Sequence, residues 1–199
     1  MDQILTQLEQ RGYAVMDNFL SAQQVHDLFD SMQGSWQPAA IGREQLKQTR
    51  SDIRRDKTLW LHPEMGHGVD HYLEQMEALR QQVNRHFFLG LFEYEAHFAY
   101  YPEGGFYKKH LDAFIGRSNR RLTTVLYLNG LWQADWGGEL VMYDEQDQVL
   151  ESITPMAGRL VCFFSERFPH EVLPCRHERY SIAGWFRVNG VGQTLDIAR

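Results

Sequence analysis

The sequence predicts an α+β fold with a dominant β core, a sandwich or jelly-roll barrel carrying N-terminal helices on one sheet. Three observations predict it. After Gly90 the chain breaks into short apolar runs separated by glycine- and proline-rich turns, the pattern of an antiparallel β structure. Before Gly90 the apolar residues follow helical spacing. The 199 residues are 43% hydrophobic and 23% charged, enough for one sizeable core, which predicts one domain over 1–199: a helical support over 1–90 and a jelly-roll core over 91–190.

Taken in order, Ile4, Leu5 and Leu8 mark a short amphipathic helix closed by Gly12, and Tyr13-Ala14-Val15-Met16 reads as a strand. Ser21 with Gln24 three residues on is a capping box, and Leu20 with Val25 is a hydrophobic staple, so a second helix starts at Ser21. Val25, Leu28, Phe29 and Met32 form its apolar face, and Gly34 is its expected end. Residues 37–57 are basic, with Arg43, Lys47, Arg50, Arg54, Arg55 and Lys57 against Glu44, Asp52 and Asp56. They read either as a solvated loop or hairpin or as a segment facing a substrate. Thr58–Leu61 is a strand. From Val69, the positions Tyr72, Leu73, Met76, Leu79, Val83 and Phe87 define the longest helix. The later strands are expected at 93–101, 106–111, 122–128, 139–143, 159–164, 171–173 and 180–188, parted by turns at 102–105, 129–130, 136–138 and 155–158.

Charge and composition exclude several functions. A net charge of −6 speaks against general nucleic-acid binding and against an anionic membrane surface. Two cysteines cannot build a disulfide scaffold or a cysteine zinc site. No apolar run approaches a membrane span, and Met1 to Gln10 lacks the features of a targeting signal, so a cytoplasmic protein with reduced thiols is expected. The nine histidines hint at metal chemistry.

His110 and Asp112 lie two apart in the run Tyr107-Lys108-Lys109-His110-Leu111-Asp112, and strand geometry puts both on one face. Alone, that pair reads equally well as a surface pair. His170 follows the apolar run 159–164 and could be a hydrogen-bonded structural histidine, but with the other two it completes two imidazoles and one carboxylate. That set is the facial triad of non-haem iron(II) oxygenases, which leaves open coordination positions. Arg179, nine residues further on, shares a strand face with Ser181, Ala183, Trp185 and Arg187. An inward arginine needs an anionic partner, either a structural Asp or Glu or the carboxylate of a ligand.

Taken together, His110, Asp112, His170 and Arg179 make a specific pattern, and from about Ile53 to Val188 the chain resembles the iron(II)/2-oxoglutarate-dependent dioxygenases of the prolyl 4-hydroxylase type. The similarity is to the branch of animal oxygen-sensing prolyl hydroxylases and their bacterial relatives. Tyr101-Pro102-Glu103-Gly104-Gly105-Phe106-Tyr107 resembles that family's entry to the site. Leu126-Tyr127-Leu128-Asn129, Gly137-Gly138-Glu139-Leu140, His170-Glu171-Val172 and Arg179–Trp185 resemble its cosubstrate pocket. The resemblance implies a double-stranded β-helix, iron(II) held by His110, Asp112 and His170, and 2-oxoglutarate and O2 as cosubstrates. It also implies ascorbate as a reductant. It implies a cosubstrate pocket of Tyr101, Tyr127, Leu140, Val172, Arg179, Ala183 and Trp185, in which Arg179 takes the C5 carboxylate and the Tyr127 hydroxyl assists. Ile53–Trp60 resembles the segment after a mobile substrate-covering loop, making 37–57 a candidate lid anchored by Arg54 and Asp56. Substrate contacts are implied for Arg54, Asp56, Tyr107 and Arg120.

The implied activity is hydroxylation of a prolyl residue in a protein, with succinate and CO2 as coproducts. Bacterial relatives suggest a translation elongation factor as the partner. The alternatives are hydroxylation of another residue or a small molecule on the same iron, and a non-catalytic metal- or partner-binding module.

Overall fold

Two antiparallel β-sheets face each other in a computed structural model that describes residues 1–39, 50–114 and 118–189. Part of the candidate lid, including Arg43, Glu44 and Lys47, lies outside the described residues. The larger sheet runs in the order β1 (Tyr13–Met16), β9 (Leu160–Phe164), β6 (Arg120–Tyr127), β11 (Arg179–Val188), β4 (Leu91–Tyr101), β3 (Lys57–Trp60) and β2 (Gln37–Pro38). The smaller sheet runs β5 (Tyr107–His110), β10 (His170–Val172), β7 (Leu140–Tyr143) and β8 (Val149–Ile153). This is a jelly roll, as the turn-separated runs predict.

Strand parity sorts the larger sheet's side chains between two cores. Leu122 and Leu126 on β6, Leu160 and Cys162 on β9, Ile182 and Phe186 on β11, and Ala96 and Phe98 on β4 join one core. Their alternates Val125, Tyr127, Val161, Phe163, Ala99 and Tyr101 join a second core with Leu140, Met142 and Val172 of the smaller sheet. Both faces are covered, so these strands are apolar almost continuously rather than alternating.

The first core is closed by α1 (Asp2–Arg11), α2 (Ala22–Asp30) and α3 (His67–Phe87). Ile4 and Leu8 of α1, Val25 and Leu28 of α2, and Val69, Tyr72, Met76, Leu79 and Val83 of α3 face the sheet and are buried. The α2 capping box is formed: Ser21 Oγ accepts from Gln24 N at 3.3 Å, and Ser21 N donates to Gln24 Oε1 at 2.8 Å. Beneath α3, the Tyr94 hydroxyl bridges Tyr72 and Thr124 at 2.7 Å each. Gly184 makes room for it, since a Cβ there would lie 2.1 Å from that hydroxyl oxygen.

Three details differ from the sequence expectation. α2 ends at Asp30 rather than near Gly34, because past Ser31 the amides leave the i→i−4 ladder, Met32 N donating to Phe29 O at 3.0 Å and Gln33 N to Ser31 O at 2.8 Å. Phe29, expected on the buried face, lies at its margin, 37% exposed, with its ring edge-on to Tyr180. Strand β8 was not foreseen, since of its residues only Ile153 is buried and it has no apolar stripe to read. Among the described residues no helix is long and apolar enough to cross a membrane.

Candidate metal centre

Strand register assembles the site. On the inner face of the larger sheet, Arg179 pairs with Tyr101, Ser181 with Ala99 and Tyr127, Ala183 with His97 and Val125, and Trp185 with Glu95 and Thr123. Directly opposed residues share a face, so these side chains form one inward stripe across β4, β11 and β6. The smaller sheet supplies the other wall, where His170 pairs with both His110 and Met142.

His110, Asp112 and His170 converge, each offering a ligand atom within 4.8 Å of the others. His110 Nδ1 lies 2.8 Å from Lys108 O, and His170 Nδ1 lies 2.9 Å from Phe168 O. A carbonyl only accepts, so both Nδ1 atoms carry the proton and both Nε2 atoms present lone pairs. Those Nε2 atoms face the Asp112 oxygens at 3.6 and 3.7 Å. Burial and the neighbouring His110 push the His170 pKa down to about 4, which leaves its imidazole neutral and able to ligate at neutral pH. Burial opposes the Asp112 charge, while positive charge on His170 or His110 and the hydrogen bond from Thr123 favour it, and the carboxyl is held well below the usual carboxylate range.

Thr123 was not anticipated. Its Oγ1 donates to Asp112 Oδ2 at 2.8 Å, and with its one proton spent there, the 2.9 Å contact to Ser165 Oγ uses the serine proton. The two threonines, Thr123 and Thr124, inside the otherwise apolar run 122–128 were the available signal. Phe163 packs edge-on against the His170 ring, with centroids 4.8 Å apart.

Arg179 is buried at 1% exposure, and no carboxylate pairs with it among the described residues. Its Nε donates to Gly138 O at 2.9 Å and one Nη to Ser181 Oγ at 3.2 Å. The guanidinium lies over the rings of Tyr101 and Tyr127, 4.8 and 5.1 Å from their centroids. Among the described residues the buried Tyr127 hydroxyl has no hydrogen-bond partner. A buried cation without an anion, beside an orphaned hydroxyl, is an unfinished site. Gly138 holds φ +73°, and a Cβ there would come within 3.2 Å of Arg179 Cδ, so glycine keeps the arginine's path clear. Leu140 and Val172 are buried in this inner core, and Trp185 is buried while Ala183 is half-buried beside it.

The other expected contacts are committed within the protein. Arg54 and Asp56 form a bidentate pair at 2.7 and 2.5 Å, with the Asp56 side chain fully buried. Arg120 pairs with Glu95 at 2.8 Å while lying 3.7 Å from the Trp185 ring centroid. Tyr107 stacks on His110.

His97 sits at the edge of this stripe, buried between Trp60 and Trp185. Burial, reinforced by nearby Arg54, pushes its pKa down to about 4. The unfolded chain takes up this proton near pH 6.5, and the folded protein does so only near 4, so stability falls as pH drops through that window. His97→Phe keeps the ring and removes the proton. Urea unfolding at pH 7.5 and 5.0 in the presence of a chelator should show the variant losing about 1.4 kcal/mol less per pH unit than wild type inside the window. Parallel losses would contradict this.

A jelly roll with two imidazoles and a carboxylate converging beside a buried, unpaired arginine defines a mononuclear metal oxygenase that takes an anionic cosubstrate. Known proteins agree. A sequence profile of the 2OG-Fe(II) oxygenase superfamily matches residues 96–187. The chain is 38% identical to a Pseudomonas putida prolyl-4-hydroxylase of known crystal structure, with a TM-score of 0.83 over 94% of this chain and 98% of that one. A Trichoplax adhaerens prolyl hydroxylase, solved with a hypoxia-inducible-factor oxygen-degradation-domain peptide, is 30% identical, with a TM-score of 0.78 over 94% and 88% of the two chains. The Caenorhabditis elegans hypoxia-inducible factor prolyl hydroxylase is 30% identical over 93% of this chain, which spans 28% of that protein's length. The chain belongs to the 2OG-Fe(II) oxygenase superfamily, within its prolyl hydroxylase group. That family uses iron(II), 2-oxoglutarate and O2.

Proposed function

We propose that this chain hydroxylates a prolyl residue in a protein substrate, with His110, Asp112 and His170 as the iron ligands. The buried Arg179, met by no carboxylate among the described residues, carries the reading, because a dicarboxylate cosubstrate supplies such a partner. The donor set fits iron(II): two neutral imidazole nitrogens and one ionised carboxylate, with the remaining positions left for cosubstrate and oxygen. When bound, iron(II) with 2-oxoglutarate and O2 supplies oxidative decarboxylation to succinate and CO2 and delivers one oxygen atom to a substrate C–H bond.

The chain's own residues bind and orient. Arg179 and the Tyr127 hydroxyl take the far carboxylate of the cosubstrate, and Tyr101, Leu140 and Val172 exclude water around its carbon chain. Thr123 holds Asp112 in one rotamer. The Lys108 and Phe168 carbonyls hold the two imidazoles in the metal-binding tautomer. The substrate is assigned to the side of Tyr107 and Arg120, next to the Arg54–Asp56 ion pair.

Similarity to a prolyl hydroxylase solved with a peptide supports a protein substrate. A translation elongation factor is the finer reading, with hydroxylation of another residue or of a small molecule as its competitor. Incubating cellular proteins with enzyme, iron(II) and 2-oxoglutarate should give a proline carrying one added oxygen, read as a gain of about 16 Da by mass spectrometry. Succinate formation without any modified protein residue would overturn the protein-substrate reading.

A further inference from the structure

We propose that Asp56, Arg54 and Tyr107 form a positioning stack that sets the ring plane of His110, tying the 53–56 segment to the metal centre. The inference rests on the metal-site reading above. The Arg54 guanidinium lies over the Tyr107 ring, 4.1 Å from its centroid. The other face of Tyr107 covers His110 at 3.6 Å between centroids and 16° between planes. Three flat groups are thus layered in a row, and the bidentate Asp56 carboxylate holds the outermost in place.

The backbone makes the same connection. Arg54 forms a β-bridge with Tyr107, Lys108 N donates to Ile53 O at 2.9 Å, and Arg55 N donates to Phe106 O at 2.9 Å. These bonds cap the free edge of β5, the strand that carries His110.

A ring-plane device is needed because of what the Lys108 carbonyl leaves undone. A single hydrogen bond at Nδ1 fixes the tautomer and one point of the imidazole, while the ring can still tilt about that point and swing Nε2 off the metal. A flat ring in face contact removes the tilt. His170 needs no such layer, because Phe163 meets it edge-on and it is buried, whereas His110 is only half-buried. Arginine suits the outer layer, since its planar guanidinium both stacks and donates in bidentate fashion to a carboxylate, and lysine does neither.

The test reads metal affinity rather than turnover. Co(II) binding is followed by calorimetry and by the visible absorption of the bound ion, in wild type and in Tyr107→Phe, Tyr107→Leu and Arg54→Lys. Tyr107→Phe keeps the stacked ring and should retain wild-type affinity within about twofold. Tyr107→Leu keeps apolar volume without a flat face, and Arg54→Lys keeps charge without a plane. Each should weaken Co(II) binding by about 10-fold and alter its absorption bands, in the range known for partners that orient metal ligands. Equal affinities and spectra for Tyr107→Phe and Tyr107→Leu would overturn the stack, and so would a wild-type Co(II) site in Arg54→Lys. Wild-type protein that binds no Co(II) would instead overturn the metal-site reading beneath it.

Discussion

Replacing Asp112 by alanine will bring 2-oxoglutarate-dependent succinate release to background. The carboxylate is the only anionic donor in the cluster, and it faces both Nε2 atoms within 3.7 Å. Without it, two neutral imidazoles must hold a divalent ion. Loss of a residue that merely orients a ligand weakens metal binding about 10- to 100-fold, and loss of the ligand itself exceeds that. Thr123→Val is the graded companion. It keeps Asp112 and removes its hydrogen bond, and should weaken Co(II) binding by about 10-fold. Wild-type succinate release from Asp112→Ala would remove these residues from the iron site.

Arg179→Ala will raise the KM for 2-oxoglutarate by about 30- to 4000-fold, with a smaller effect on turnover at saturation. Truncating one member of a desolvated, hydrogen-bonded charge pair costs about 2–5 kcal/mol, and each 1.4 kcal/mol is a factor of ten. Arg179→Lys restores the charge but not the fork, and should fall between wild type and Arg179→Ala. Thermal unfolding gives an independent reading, because a ligand that binds only the folded state raises Tm. 2-oxoglutarate with Co(II) should raise the Tm of wild type and leave that of Arg179→Ala nearly unmoved. An unchanged KM and an unchanged Tm response would mean that the cosubstrate carboxylate sits elsewhere.

The two substitutions probe sites of different legibility. His110 and Asp112 could be read as a same-face pair because the period of a strand is two. That His170 joins them depends on the pairing of β10 with β5, a contact between strands some 60 residues apart that no local pattern announces. Arg179 was legible as an inward arginine from the parity of its strand. Its lack of an internal anion was not, because Asp and Glu occur throughout the chain and only folding shows that none of the described ones reaches it.

The same division holds in the support. The Ser21 capping box was read correctly because its bonds span three residues, whereas the end of α2 was placed too late. There a glycine was the visible signal, but the Met32 and Gln33 amides had already left the helical ladder. The basic character of 37–57 suggested a solvated or substrate-facing segment. In the folded protein two of its charges, Arg54 and Asp56, are turned inward against each other and against Tyr107.

By itself, then, the sequence determined the strand parity, the helix faces and the donor types, because these follow from periods of 2 and 3.6 residues and from side-chain chemistry. Tertiary structure alone decided the register that brings His170 to His110, the Thr123 bond that seats Asp112, the stack behind His110 and the unpaired state of Arg179. Each of these is a contact between residues distant in the chain, set by how two sheets close over one core, and such closure leaves no mark at short range.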